Sequence, residues 1–157
     1  MELHAPHTSS RILLSWDDID QAIGKLWQII HDNKDSYLGI IAVARGGLVP
    51  AAMLAHRLKI RDIRTITVAS YVHENRVEPF IGEVPVIGGS GSGWLIVDDL
   101  SDTGETLSIA RRIFPSARTA VLYAKPLGKS LADYISGEFD QSEWVQFPWE
   151  KSTVNCS

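Results

Sequence analysis

Leu95-Ile-Val-Asp-Asp-Leu-Ser-Asp-Thr-Gly-Glu-Thr106 starts as an apolar strand, reaches two adjacent carboxylates, and runs through a short loop toward a helix. Residues 94–97 lack the alternation of a half-solvated strand, so the reading is a strand buried on both faces, as in a parallel sheet. A helix is expected over 103–114. Upstream, Leu38-Gly-Ile-Ile-Ala-Val-Ala44 has the same continuous apolar character and ends at Arg45-Gly46-Gly47. Residues 48–58 then read as a helix with Pro50 tolerated in its first turn. Residues 63–71 are β-branched and extended, 118–124 form a further strand before Lys125-Pro126, and Trp144-Val145 belongs to a last short extended piece. Ser15 followed by Asp18 resembles a capping box, and Trp16, Ile19, Ile23, Leu26 and Ile30 share one face of the helix behind it. Strands alternating with helices predict an α/β fold with a central, mostly parallel sheet flanked by helices.

The 157 residues fit one domain, with 45% hydrophobic and 22% charged residues, which excludes a disordered chain. The formal charge of −4 carries no basic stripe, so a nucleic-acid partner is not expected. The single cysteine, Cys156, permits no internal disulfide. With no signal-like N-terminus and no long apolar run, the expected location is cytoplasmic. Residues 1–12 read as a polar lead-in, 72–93 as a long loop containing Gly88-Gly-Ser-Gly-Ser-Gly93, and 151–157 as a polar tail. The glycine-serine stretch reads equally well as a hinge.

Ligands of open parallel sheets bind beyond the carboxyl ends of the strands. Three expected strands end in unusual residues there: Arg45-Gly46-Gly47, Asp98-Asp99 and Lys125-Pro126. Asp102-Thr103-Gly104-Glu105-Thr106 puts small and hydroxyl-bearing residues at a helix N-terminus, where unpaired amides and the helix dipole suit a phosphate monoester. Two carboxylates beside that phosphate need another partner, and ribose hydroxyls or a hydrated Mg²⁺ can supply it. An ordinary helix cap at Asp102 and a solvated corner at Asp98-Asp99 is the alternative. The spacing of the acids to Asp-Thr-Gly-x-Thr argues against it. Gly128-Lys129-Ser130 does not make a P-loop, because position 123 is Tyr123 and not glycine. The five histidines lack zinc spacing.

Residues 95–106 resemble the phosphoribosyl diphosphate (PRPP) signature of the type I phosphoribosyltransferases. The segment Gly39 to Pro50 resembles that family's diphosphate loop, and Ser70-Tyr71, His73 and Asn75 the start of its mobile hood loop. Lys125-Pro126 and Trp144-x-x-x-Pro148-Trp149-Glu150 resemble its purine-binding end, with 125–150 as a small purine-binding region. The likeness runs from about residue 12 to residue 150.

The resemblance implies transfer of 5-phosphoribosyl from PRPP to guanine or xanthine, and to hypoxanthine as well, with Mg²⁺ as cofactor. It implies that Asp98 and Asp99 hold the ribose hydroxyls, with Asp99 also near the metal. The segment Leu100, Ser101, Asp102, Thr103, Gly104, Glu105 and Thr106 would grip the 5-phosphate. Arg45 and Gly46 would bind diphosphate in a loop where the family often has a non-proline cis peptide. Tyr71 and Arg76 would close over it. Lys125 would donate to the purine 6-oxo group, Trp144 would stack on the ring, and the Val145 carbonyl would accept from a 2-amino group. Asp102 and Arg45 would be the catalytic residues, Asp102 as general base. Ala44 stands where the family's purine enzymes usually carry serine, and Arg76 is the only arginine or lysine in 72–93. The resemblance also implies a homotetramer or dimer, with at most peripheral contact at the inner face of the cell membrane. The competing function is a catalytically inactive PRPP- or nucleotide-binding regulator on the same fold.

Overall fold

The computed structural model describes residues 10–73 and 76–150, with side chains described outside 70–77. Six strands form one sheet in the order β4-β3-β2-β5-β6-β7: β4 (Arg76–Ile81), β3 (Asp62–His73), β2 (Gly39–Ala44), β5 (Trp94–Ser101), β6 (Arg118–Ala124) and β7 (Tyr134–Glu138). All neighbours are parallel except β3 and β4. The parallel α/β expectation therefore holds, with an antiparallel hairpin added at one edge.

Side-chain alternation on the buried strands explains the layers. Ile40, Ala42, Leu95, Val97, Ala120 and Leu122 face one core, which is closed by α1 (Trp16–Asp32) and α2 (Leu48–Leu58). Ile41, Val43, Ile96 and Val121 face the other, covered by α3 (Glu105–Ile113) through Leu107 and Ala110. Because both faces are covered, these strands show no apolar–polar alternation in the sequence. The α1 cap is formed as read: Ser15 Oγ accepts from the Asp18 amide at 3.2 Å, and the Asp18 carboxylate accepts from the Ser15 amide at 2.7 Å.

Three segments differ from the sequence reading. Arg11–Leu13 is a strand, β1, and not part of a loose lead-in; it pairs in parallel with β8 (Trp144–Gln146) in a separate two-stranded sheet. The long loop expected over 72–93 begins instead as the β3–β4 hairpin, in which Val72 lies opposite Val77. β7 had no forecast at all. Its sequence, Tyr-Ile-Ser-Gly-Glu, carries a glycine and no buried run to mark it. The glycine-serine stretch is pinned: Ser90 Oγ lies 2.6 Å from Ser116 Oγ, and the Ser116 amide donates to the Ser90 carbonyl at 3.0 Å.

The strand order also sets the site. From β2 the chain turns outward to β3, and from β5 it turns the other way to β6 and β7. The reversal lies between β2 and β5, the place where doubly wound sheets open a crevice. The carboxyl ends of β2, β5 and β6 are consecutive there.

Candidate functional site

β5 carries its apolar run directly into Asp98 and Asp99. Asp98 is 6% exposed, and its Oδ1 accepts from the Asp99 amide at 2.9 Å. Asp99 Oδ1 accepts from the Leu100 amide at 2.7 Å. Burial raises the pKa of both carboxyls, that of Asp98 well above the ordinary range; the Asp99 charge adds to the rise at Asp98, and Glu150 adds to the rise at Asp99. Such a pair favours ligands that bring donors or positive charge.

The loop after β2 is shaped against these acids. The Ala44–Arg45 peptide is cis, at the loop where the resemblance placed such a bond. A Cβ on Gly46 would lie 2.3 Å from Asp99 Oδ2, so a glycine lets the loop after β2 come this close to the end of β5. Arg45 is exposed at the mouth of this loop and lines neither of the two cavities described next.

Beyond Asp99 the chain wraps a cavity of about 80 Å³, lined by residues 100–107. Gly104 takes φ +88° at the N-cap of α3 and has no side chain to cap it, while Thr103 Oγ1 accepts from the Glu105 amide at a long 3.4 Å. The first amides of α3 lack intrahelical acceptors, so a helix N-terminus beside this cavity is suited by geometry and by dipole to an anion.

A second cavity, of about 250 Å³, adjoins the first. Asp99, Leu100, Asp102, Lys125, Trp144, Val145, Phe147 and Glu150 line it. Lys125 is 5% exposed, and its Nζ donates to Asp102 Oδ2 at 3.2 Å. Trp144 is 66% exposed, so an indole face is open on this rim, whereas Val145 is buried beneath it. Behind the rim, Phe147 stacks on Trp149 at 4.8 Å between centroids. The structure thus gathers Asp99 to Thr106, Lys125, Trp144 and Val145 around two cavities that share Leu100 and Asp102, whereas Asp98 is buried and lines neither. The side chains of Tyr71 and Arg76 lie outside the described residues.

Sequence reading gave no role to Gln141, Phe147, Glu150 or Gly128. Phe147 and Glu150 lie within or at the end of the Trp144–Glu150 stretch, whose pattern marks the segment without singling them out. Gln141 had no such pattern: it is a glutamine on a turn, marked only by its contacts. Its Nε2 donates to Asp102 Oδ1 at 2.7 Å.

Among known proteins, the family model for the phosphoribosyl transferase domain matches residues 12–153. The chain is 40% identical over 138 residues to the xanthine-guanine phosphoribosyltransferase of Nitratidesulfovibrio vulgaris, covering 87% of this chain and 83% of that one. It is 40% identical over 151 residues to the enzyme of the same name from Gluconobacter oxydans, covering 95% and 90%. The crystal structure of a purine phosphoribosyltransferase from Pyrococcus horikoshii superposes with a TM-score of 0.76 at 34% identity, covering 92% and 97%.

Proposed function

The chain belongs to the phosphoribosyl transferase domain family, and from that premise we propose that it transfers the 5-phosphoribosyl group of PRPP to guanine or xanthine, and to hypoxanthine, releasing diphosphate. The carrying observation is the pair in the larger cavity. Asp102 Oδ2 and Lys125 Nζ present an acceptor and a donor 3.2 Å apart beside an exposed tryptophan. A 6-oxopurine offers the complement along one edge, an imidazole N–H next to the 6-oxo oxygen. Adenine places an amino group where Lys125 can only donate.

The reaction breaks the bond between the anomeric carbon and diphosphate and forms one to the purine nitrogen, with oxocarbenium character between. In this reading the α3 amides and the 100–106 loop hold the 5-phosphate, and Asp98 and Asp99 accept from the ribose hydroxyls. Arg45, with the Gly46 backbone, stabilises the departing diphosphate. Asp102 takes the proton from the imidazole N–H beside the 6-oxo group as the other imidazole nitrogen forms the new bond to the anomeric carbon. Trp144 covers the purine face, and the Val145 carbonyl accepts from a 2-amino group.

The donor set fits a Mg²⁺ that draws most of its oxygens from substrate and water. Among the described residues no group of three or more His, Cys, Asp or Glu converges, while Asp99 offers one carboxylate, within the one or two such sites use. When bound, Mg²⁺ would offset the negative charge gathering on diphosphate.

We also place the protein in the cytoplasm as a homotetramer or dimer. No helix among the described residues is long and apolar enough to cross a membrane. Purified protein with PRPP, Mg²⁺ and each of guanine, xanthine, hypoxanthine, adenine and orotate tests the activity. Nucleotide formation from 6-oxopurines alone is expected. PRPP binding without turnover on any base would overturn the transferase reading in favour of the regulator.

A further inference from the structure

Gln141, outside the lining of the larger cavity, ties Asp102 of that lining to the turn after β6. Its Nε2 donates to Asp102 Oδ1 at 2.7 Å, and its Oε1 accepts from the Leu127 amide at 3.0 Å. The amide orientation is fixed by chemistry: a carboxylate can only accept, and a backbone N–H can only donate, so the flipped amide would satisfy neither. Lys125 meanwhile holds the other oxygen, Asp102 Oδ2, at 3.2 Å.

Asp102 therefore has a donor on each oxygen. Its side chain is half exposed, at 50%, and is not fixed by packing. With Lys125 alone as anchor, the carboxylate could turn about its terminal torsion, which is broad for Asp. With both anchors its plane is set. We infer that Gln141 is a positioning residue of the transfer reaction, acting through Asp102 to aim the carboxylate at the purine N–H. This rests on the reading of Asp102 as the acceptor of that proton. A carboxylate has about four acceptor positions, so two remain for substrate after both anchors are made.

The ordinary alternative is that Gln141 merely ties the 140–143 turn to the Leu127 amide. The two can be separated, because Gln141→Glu keeps the acceptor for Leu127, removes the donor to Asp102, and sets a second negative charge against it. Gln141→Leu removes both bonds. If Gln141 positions Asp102, both variants should lose kcat for guanine by about tenfold or more, as expected for a hydrogen bond to a charged group. Gln141→Glu should be at least as impaired as Gln141→Leu. KM for guanine should change little, since the lost contact counts in the transition state. PRPP binding, measured by calorimetry, should be unchanged in both and serves as the check on folding. In an Asp102→Asn background, Gln141→Leu should cost nothing further, because its route to the reaction is gone.

Wild-type kcat in Gln141→Glu overturns the inference, as does a Gln141→Leu defect confined to KM, lost PRPP binding in both variants, or additive losses with Asp102→Asn. If the wild-type protein forms no nucleotide at all, the transferase reading itself fails. Turnover by the wild type together with any of those four results refutes the role of Gln141 alone.

Discussion

Replacing Lys125 with methionine separates what this side chain does for the base from what it does for the fold. Lys125 is 5% exposed, and the hydrogen bond of its Nζ is to Asp102 Oδ2 at 3.2 Å. Methionine keeps much of the length and removes the ammonium. If Nζ donates to the 6-oxo oxygen, the loss is that of a hydrogen bond involving a charged group, about 1.5–3 kcal/mol. That corresponds to a fall in kcat/KM for guanine of about 10- to 150-fold. Adenine gains nothing from Lys125, so the preference for guanine over adenine should fall with it. Stability should move far less. Removing one partner of a buried pair is severe when it strands a buried charge, but the Asp102 side chain is 50% exposed and water can replace the lost donor. Relief from desolvating the ammonium works in the opposite direction. The net change should stay within about 1 kcal/mol, or about 4 °C in Tm for a chain of this size. Steady-state kinetics with saturating PRPP, paired with thermal unfolding, gives both numbers. A loss under about twofold with guanine would show that Lys125 does not read the 6-oxo group. A large Tm drop with loss of PRPP binding would show that it is a structural lysine.

Gly46→Ala should weaken PRPP binding by about 1–3 kcal/mol, the usual cost of overpacking, because the new Cβ would sit 2.3 Å from Asp99 Oδ2; calorimetry with and without Mg²⁺ checks this. Trp144→Ala should raise KM for guanine by roughly 1–3 kcal/mol of lost base stacking, while leaving Tm unchanged because the ring is 66% exposed. Asp98→Asn should stabilise the ligand-free protein at neutral pH. The Asp98 carboxyl has its pKa raised by burial and by Asp99, so the stability linked to it is fully present below its unfolded pKa and is lost as pH rises through the folded one. The advantage of Asp98→Asn in urea unfolding should therefore vanish near pH 3.8 and grow toward neutrality, and a constant advantage at every pH would refute the assignment.

The sheet core and the turn from β5 into α3 were legible because each leaves a dense local signal. Continuous apolar strands imply cover on both faces, and the acids of 98–102 sit at fixed spacing before a glycine and hydroxyls. The edges were not legible. Arg11–Leu13 is short and becomes a strand only by pairing across the whole chain with Trp144–Gln146, of which Trp144-Val145 did read as extended. The β3–β4 hairpin joins a strand that does show to one of mixed composition, Arg-Val-Glu-Pro-Phe-Ile, whose proline speaks against a central strand but is tolerated at an edge. Gln141 illustrates the same limit in the site. Its importance comes from reaching two backbone-distant groups at once, and no residue type or spacing encodes that.

The glycine at 128 shows how a segment correctly rejected for one function serves another. It is not the glycine of a P-loop, yet a Cβ there would fall 2.4 Å from the Ser101 carbonyl oxygen. That close approach is used twice: Ser101 Oγ donates to the Gly128 carbonyl at 2.8 Å, and the Lys125 amide donates to the Ser101 carbonyl at 3.0 Å. Ser101 is buried at the head of the loop that lines the smaller cavity, and Lys125 lines the larger one. The ends of β5 and β6 are therefore stitched by side chain and backbone, and the separation between the two cavities is fixed before any ligand arrives. A transferase gains from this arrangement, because the sugar phosphate and the acceptor nitrogen must meet within bonding reach without either site searching for the other.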